Sequence, residues 1–433
     1  MTVIELSARV LRSDTVSAIA TIAIGVLTAR WLGPEGRGQY ALFFTTIGLL
    51  GTIGQLGFYQ AAIYHLGKGT ITPAVALGSA LMLLAATAIT LTLVLVAAAH
   101  IPLNTLAPSL GALLGIPLVL GVLLQVARES LCGIAMGTAN YRVANDHVAI
   151  EPTFALIATF PLMIVPLDAQ SAIELRIASG LAALVILGWR VRILLPASPV
   201  FDIRACLIEI LFGSKNTLQN VIGLLNYRVY LYFLIFDSAA IGTFSVSMLF
   251  VEIIRFAPNA LGTALFPILT TKDVCEAQRL VARACRIVLA ALIGPVVFLS
   301  FFGGTIVRLT FGFDYLGAAD LLPLMLTGAA VGIFYQIFSR YFTSIGRQMD
   351  NIRAGVPGLI VAVLASGILV PKFGLTGAAL AYLASATCTF LVSLMLFKRQ
   401  SGLAFNNILL ITTSDVRKLI VIFRTFIMPH TSA

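Results

Sequence analysis

Six charged side chains interrupt otherwise apolar stretches of the chain: Arg128, Glu129, Glu151, Arg228, Glu252 and Arg255. A charge at the middle of a bilayer costs about 2.5–3.5 kcal/mol on insertion scales, so each one needs an opposite charge or a wet cavity. Two kinds of chemistry suit these residue types. An arginine fork facing a cavity binds phosphate oxygens bidentately. A carboxyl group in the same setting takes up and releases protons. Arg255 and Arg128 are the first candidates for an anion site. Arg228 is a third, and Arg30, at the end of the first apolar stretch, is placed to guide a departing anion or to anchor its helix at the interface. Glu129, Glu151 and Glu252 are candidates for proton coupling or for salt bridges.

Hairpin depth sorts these groups further. A turn centred near Tyr141 puts Glu151 at about the depth of Arg128 or Glu129. A turn centred near Ala240 puts Arg228 and Glu252 equally far from it. Glu252 and Arg255 are three residues apart and share a helix face. Each antiparallel pair is expected to hold an ion pair. A cavity-facing role for some of the same groups stays open, because depth does not say which way a side chain points.

The elements that must carry these residues follow from composition. The 433 residues are 59% hydrophobic and 11% charged, against about 25% charged in soluble domains. A lipid bilayer is therefore the expected solvent. A spanning helix needs about 20 apolar residues. Twelve such segments are read: 13–32, 41–65, 73–99, 109–136, 147–167, 172–195, 217–237, 241–268, 285–303, 321–344, 354–371 and 376–397. The first is expected to stay in place, since no convincing small-residue cleavage site follows it. The predicted class is an all-α polytopic membrane protein of twelve transmembrane helices in two six-helix bundles.

The net charge of +10 reports topology. With the N-terminus inside, twenty of the 28 Lys and Arg fall on the inner side, five on the outer side and three within spans. This obeys the positive-inside rule and predicts both termini in the cytoplasm. Nucleic acid is a poor explanation for such a distribution. None of the five cysteines falls in an outer loop, and the four histidines are scattered, so neither disulfides nor a metal site is expected. No cofactor is expected.

The chain also reads as duplicated. Arg30-Trp31-Leu32-Gly33-Pro34-Glu35-Gly36-Arg37-Gly38-Gln39-Tyr40-Ala41-Leu42 joins two apolar segments in the first half. A weaker echo, Asp237 to Ser245, does so in the second. A repeated helix–turn–helix of this kind marks transporters built of two bundles that enclose a cavity and rock around it. The expected division is 1–196, 197–397 and a cytoplasmic tail at 398–433. The seam falls at the inner connection from Arg190 to Asn216, where a short amphipathic stretch carries Ile203, Leu207 and Ile210 on one side. The tail has Val416, Leu419, Ile420, Phe423 and Ile427 on one helical face and suits an interfacial helix. Pro117 and Pro161 are expected to kink their helices.

The stretch at 30–42 resembles the start of the bacterial polysaccharide-export flippases, the "Wzx-type" proteins of O-antigen and exopolysaccharide biosynthesis. Three later stretches agree with that family in order and spacing: Leu225-Asn226-Tyr227-Arg228, Phe311-Gly312 through Ala318-Ala319, and Pro371-Lys372-Phe373-Gly374-Leu375-Thr376-Gly377-Ala378-Ala379-Leu380-Ala381. The resemblance implies a twelve-helix fold shared with multidrug exporters and the lipid II flippase. It implies transport of an undecaprenyl-pyrophosphate-linked oligosaccharide from the inner to the outer leaflet of the cytoplasmic membrane by alternating access. A polysaccharide polymerase and glycosyltransferases are the implied partners. The six in-span charges sum to zero, whereas the family's cavities are often cationic.

Two other readings compete. An ion-coupled multidrug or metabolite exporter on the same fold would use the in-span acids. A membrane-embedded polymerase would be expected to carry a large polar outer loop, and the outer loops here are short; an assembly subunit would explain neither the duplication nor the in-span charges.

Overall fold

A computed structural model of the chain describes residues 3–99, 115–165, 168–195 and 198–410. All regular structure among these residues is helical. The principal helices are α1 (Val3–Gly54), α2 (Phe58–Gly67), α3 (Pro73–Ala99), α4 (Ile116–Gly137), α5 (Tyr141–Thr159), α6 (Ala169–Leu194), α7 (Ile203–Arg228), α8 (Ser238–Thr271), α9 (Val274–Thr310), α10 (Leu316–Ser344) and α11 (Gln348–Ser401). Eight of the described helices are long and apolar enough to cross a membrane.

Two of those eight, α1 and α11, are each broken at a glycine. Gly33 takes φ 67° and ψ 178°, and Gly374 takes φ 55° and ψ −127°. Side-chain-bearing residues avoid this backbone, so glycine alone makes the break without strain. After Gly33 the helix resumes at Pro34, whose missing N–H and fixed φ suit a first helical position. Dividing the two helices at these glycines gives ten apolar segments. The other two of the expected twelve are α5, with Arg142, Asp146 and Glu151, and α7, with Arg204, Glu209, Lys215 and Arg228. The chain is an all-α, multi-pass membrane protein.

Several boundaries differ from those expected. The amphipathic stretch around Ile203–Ile210 is the first part of α7 and continuous with the seventh span. Asp202 caps it, its carboxylate accepting from the amides of Arg204 and Ala205 at 2.9 and 3.1 Å. Helix α5 begins at Tyr141, six residues before its apolar run. Pro117 sits in the first turn of α4 and Pro161 in a short 3₁₀ turn after α5, so neither kinks a helix. Both occupy positions whose amide has no helical partner to lose. Residues 109–114 of the expected fourth span and 411–433 of the tail, including the expected interfacial helix, lie outside the described residues.

The described chain forms two compact units. The first runs up to Val246 and includes Thr310–Asp314; the second comprises Ser247–Leu309 and the residues from Tyr315 onward. In a bilayer, helices associate through close packing of small residues and through hydrogen bonds. In the first unit, Gly133 and Gly137, four apart on α4, let it approach the backbone of α2 at Tyr59 and Ala62. Phe58, Ala62, Ala76, Leu83, Ile134 and Cys206 fill the space beside this contact. In the second unit an aromatic ladder joins α10 to α11. Phe334 meets Phe390 at 5.3 Å between ring centroids, and Phe338 and Tyr341 meet Phe397 at 4.9 and 5.2 Å. The two halves of α11 are tied by Ser385 Oγ donating to Gly358 O at 2.9 Å.

Candidate functional site

In the first unit, α4, α5 and α6 bring four charges together. Arg128 Nη1 donates to Glu151 Oε2 at 2.5 Å, and its Nη2 donates to Glu129 Oε1 at 2.6 Å. Arg176 Nη2 lies 3.9 Å from Glu151 Oε1, with its guanidinium 5.8 Å from the Phe44 ring. Two arginines and two carboxylates cancel in charge. The charge of Arg128 is thus offset by two carboxylates, which weakens its pull on a phosphate. The side chains of Arg128, Glu129 and Glu151 keep 27%, 28% and 21% of their area exposed, so the network is not sealed. His147, one turn before Glu151 on α5, is buried with no hydrogen bond to either ring nitrogen. On another face of α5, Asp146 accepts from Arg190 Nη2 at 2.8 Å.

In the second unit the candidate arginine is held differently. Gln336 on α10, with its amide oriented by its hydrogen-bond partners, accepts from Arg255 Nε at 3.0 Å and from Nη2, and donates to Asn259 Oδ1. Asn259 and Arg255 are one turn apart on α8. An amide oxygen aims a guanidinium without adding a negative charge. Glu252, three residues before Arg255, is half-buried.

Arg228, at the end of α7 in the first unit, lies 4.9 Å from the centroid of the Tyr227 ring. Arg30 is exposed, three residues ahead of the Gly33 break. The structure therefore joins Arg128, Glu129 and Glu151 in one network, places Arg255 in another, and assigns Arg30 to neither.

Three groups escaped the sequence reading. Arg176 was counted by topology alone, yet it reaches the Glu151 carboxylate. Gln336 is uncharged, so a search for in-span charges passed over it. Arg37, in the helical Gly36-Arg37-Gly38 stretch, is buried (7% exposed). Its Nε donates to Ser245 Oγ at 3.1 Å and its Nη1 to Thr28 Oγ1 at 2.7 Å.

The last contact belongs to a larger one. The helical stretch that follows Gly33 and its echo at 237–245 touch backbone to backbone within the first unit. A Cβ on Gly38 would overlap the Ser238 carbonyl oxygen and lie 2.7 Å from its carbon. A Cβ on Gly242 would overlap the Pro34 carbonyl oxygen and lie 3.1 Å from Gly38 N. The repeat read in the sequence is thus also a contact: the two glycines lie against each other's segment where no side chain fits.

No protein-family model matches the chain, and no curated protein matches it. Solved structures do. Over 98% of this chain and 93% of the other, it superposes on the lipid II flippase MurJ in an inward closed conformation, with a TM-score of 0.75 and 14% sequence identity. It superposes on an inward-facing multidrug resistance MATE family transporter of the MOP superfamily, over 92% and 98% of the two chains, with a TM-score of 0.72 and 15% identity. It also matches a MOP superfamily transporter from Pyrococcus furiosus, described as having a binding pocket of reverse polarity that suggests a different function. There the TM-score is 0.64 and the identity 16%, over 92% and 95% of the chains. The chain has the fold of these proteins.

Proposed function

We propose that the protein translocates an undecaprenyl-pyrophosphate-linked oligosaccharide from the inner to the outer leaflet of the cytoplasmic membrane, by alternating access between two bundles. Both termini are cytoplasmic in this reading. A polysaccharide polymerase and glycosyltransferases supply and consume the substrate. The observation that carries it is the likeness in fold, along nearly the whole chain, to a lipid II flippase. Arg255 is the residue assigned to the pyrophosphate, since Gln336 holds its guanidinium in a fixed plane through a neutral oxygen. That arrangement suits bidentate binding of phosphate oxygens. Arg128 has a lesser part, because the carboxylates of Glu129 and Glu151 beside it repel an anion.

The test is a deletion strain complemented with wild type, Arg255→Ala or Arg255→Lys. Lipid-linked repeat units should accumulate on the inner leaflet of the deletion strain, with loss of surface polymer. Wild type should restore it, and Arg255→Ala should fall short by at least tenfold. Arg255→Lys should rescue poorly, since an ammonium cannot make the planar two-point contact. Normal surface polymer together with altered resistance to cationic drugs would overturn the reading in favour of an exporter.

A further inference from the structure

Ahead of its apolar stretch, α7 carries a carboxyl group that no partner accounts for. Glu209 is 0% exposed, and neither carboxyl oxygen makes a hydrogen bond. The polar group acting on it is the Ser79 hydroxyl of α3, which is also fully buried and favours the charged form only weakly against the burial. Cys206, three residues back on α7, lies within reach of its charge.

Among the described residues, the elements packed on this part of α7 bring no counter-charge. Helix α3 contains no titratable side chain, and neither does α1 from Ala41 to Gly54. On α2, Tyr64 and His65 face Phe212, at 4.5 and 5.2 Å between ring centroids, and Lys68 just beyond donates to the Tyr64 hydroxyl at 2.7 Å. Tyr59 lies within electrostatic range of Cys132 and Glu129. Arg204 and Lys215 on α7 itself are exposed.

Backbone contacts close the seat on both sides of Glu209. Before it, Val200 N donates to Ala74 O at 2.9 Å, and a Cβ on Gly78 would overlap the Val200 carbonyl oxygen. After it, Gly213 lies against Gly57, where an added Cβ would be 2.6 Å from the Gly57 carbonyl carbon and 2.7 Å from Leu56 O. A carboxylate shut in with a single hydroxyl and no cation is disfavoured, so the seat favours the neutral, protonated group. Burial pushes the Glu209 carboxyl up to about 7.

We propose that Glu209 is a proton-binding site that controls the seating of α7 on α2 and α3. One proton is bound when the helix seats, and one is released to water when it lifts; no other bond changes. The inference rests on the transport reading only where it makes this proton the one coupled to translocation.

Two measurements test the site on the reconstituted protein without substrate, so they stand whatever the transported molecule. Infrared spectra should show a protonated-carboxyl band that titrates near neutral pH and is missing in Glu209→Gln. Spin labels at the exposed positions Leu81 on α3 and Leu211 on α7 should move apart as pH rises in the Glu209 protein and stay together in Glu209→Gln. Absence of that band in the wild type, or a label separation that ignores pH, would overturn the proposal without bearing on the flippase reading. The coupling part is read with a fluorescent lipid pyrophosphate in proteoliposomes. Glu209→Gln should lose acceleration by a pH gradient and keep gradient-free equilibration. Acceleration that persists in the variant would overturn the coupling.

Discussion

Replacing Gly38 or Gly242 by alanine should weaken the first unit by an amount that the geometry sets. The methyl group of Gly38→Ala would lie 2.7 Å from the Ser238 carbonyl carbon, and ordinary contact begins at 3.4 Å. The opposing backbone must therefore retreat by at least 0.7 Å, the difference of the two distances. Its atoms are main chain and cannot rotate aside. Forcing one extra carbon into a packed contact costs about 1–3 kcal/mol. The same retreat, taken along the bond, would lengthen the Arg37 Nε–Ser245 Oγ bond from 3.1 Å to roughly 3.8 Å, beyond hydrogen-bonding range. A hydrogen bond to a charged group contributes about 1.5–3 kcal/mol. The expected total is about 2.5–6 kcal/mol, which is at least roughly a 50-fold change in the equilibrium. Melting of the detergent-solubilised protein measures it. Gly48→Ala is the control, because nothing lies within 4 Å of the added methyl. The two substitutions crowd one contact, so the double variant should lose clearly less than the sum of the singles. If Gly38→Ala and Gly242→Ala both melt with Gly48→Ala, the two stretches do not touch in the native protein and the argument fails.

Other expectations follow from single contacts. Arg128→Ala strands Glu129 and Glu151. The expected loss is about 3 kcal/mol, the low end for removing one partner of a buried pair, since Arg128 is 27% exposed; Arg128→Met with both acids changed to Gln should recover most of it in the same melting assay. The seated form of α7 should be favoured at low pH. Its carboxyl holds a proton to about 7 in place of 4.5, so the seat has full strength below about 4.5. It then weakens steadily and has lost ~3 kcal/mol by about pH 7; the protection factors of the Ile203–Lys215 amides, corrected for the intrinsic rise of exchange with pH, should fall across that window in wild type and stay flat in Glu209→Gln. Asp168 caps α6 by accepting from Ser171 N at 2.9 Å, and the Ser171 hydroxyl, with that amide, holds its carboxyl below the usual range. Asp168→Ala should cost about 1 kcal/mol, and the cap's contribution should fade only as acid protonates the carboxylate.

The run of apolar segments is legible because each must match a bilayer, and α3, α6 and α10 lie close to where composition puts them, while α9 extends well beyond its apolar run at both ends. Depth in a hairpin also carried information: it set Glu151 against Arg128 or Glu129, and one guanidinium reaches both. Helix α7 was misjudged because Arg204, Glu209 and Lys215 break the apolar run, and a break in hydropathy is not a break in the backbone. The prolines misled for the opposite reason. Pro117 and Pro161 were scored as interruptions, but a proline in a first turn interrupts nothing. Gln336 and Glu209 escaped because the search sought charges at mid-span. An uncharged amide and a carboxyl ahead of the apolar run carry no such signal, and only packing shows what they meet. Gly36-Arg37-Gly38 was read as a turn within a repeated motif; that the two copies touch is a tertiary fact that neither copy encodes alone.

The break at Gly33 is one residue long and has no slack. Helix phase therefore runs directly from one apolar segment into the next. An inserted residue after Gly33 would rotate everything following it by about 100°. Gly38 would swing away from Ser238, and Arg37 away from Ser245. Nearly a whole helical turn would have to be inserted before those faces realigned, and they would then be displaced by about 5.4 Å along the axis. This stretch should accept changes of side chain far more readily than changes of length. A tag or reporter loop placed there would shift the registration of the first unit, whatever the tag's size.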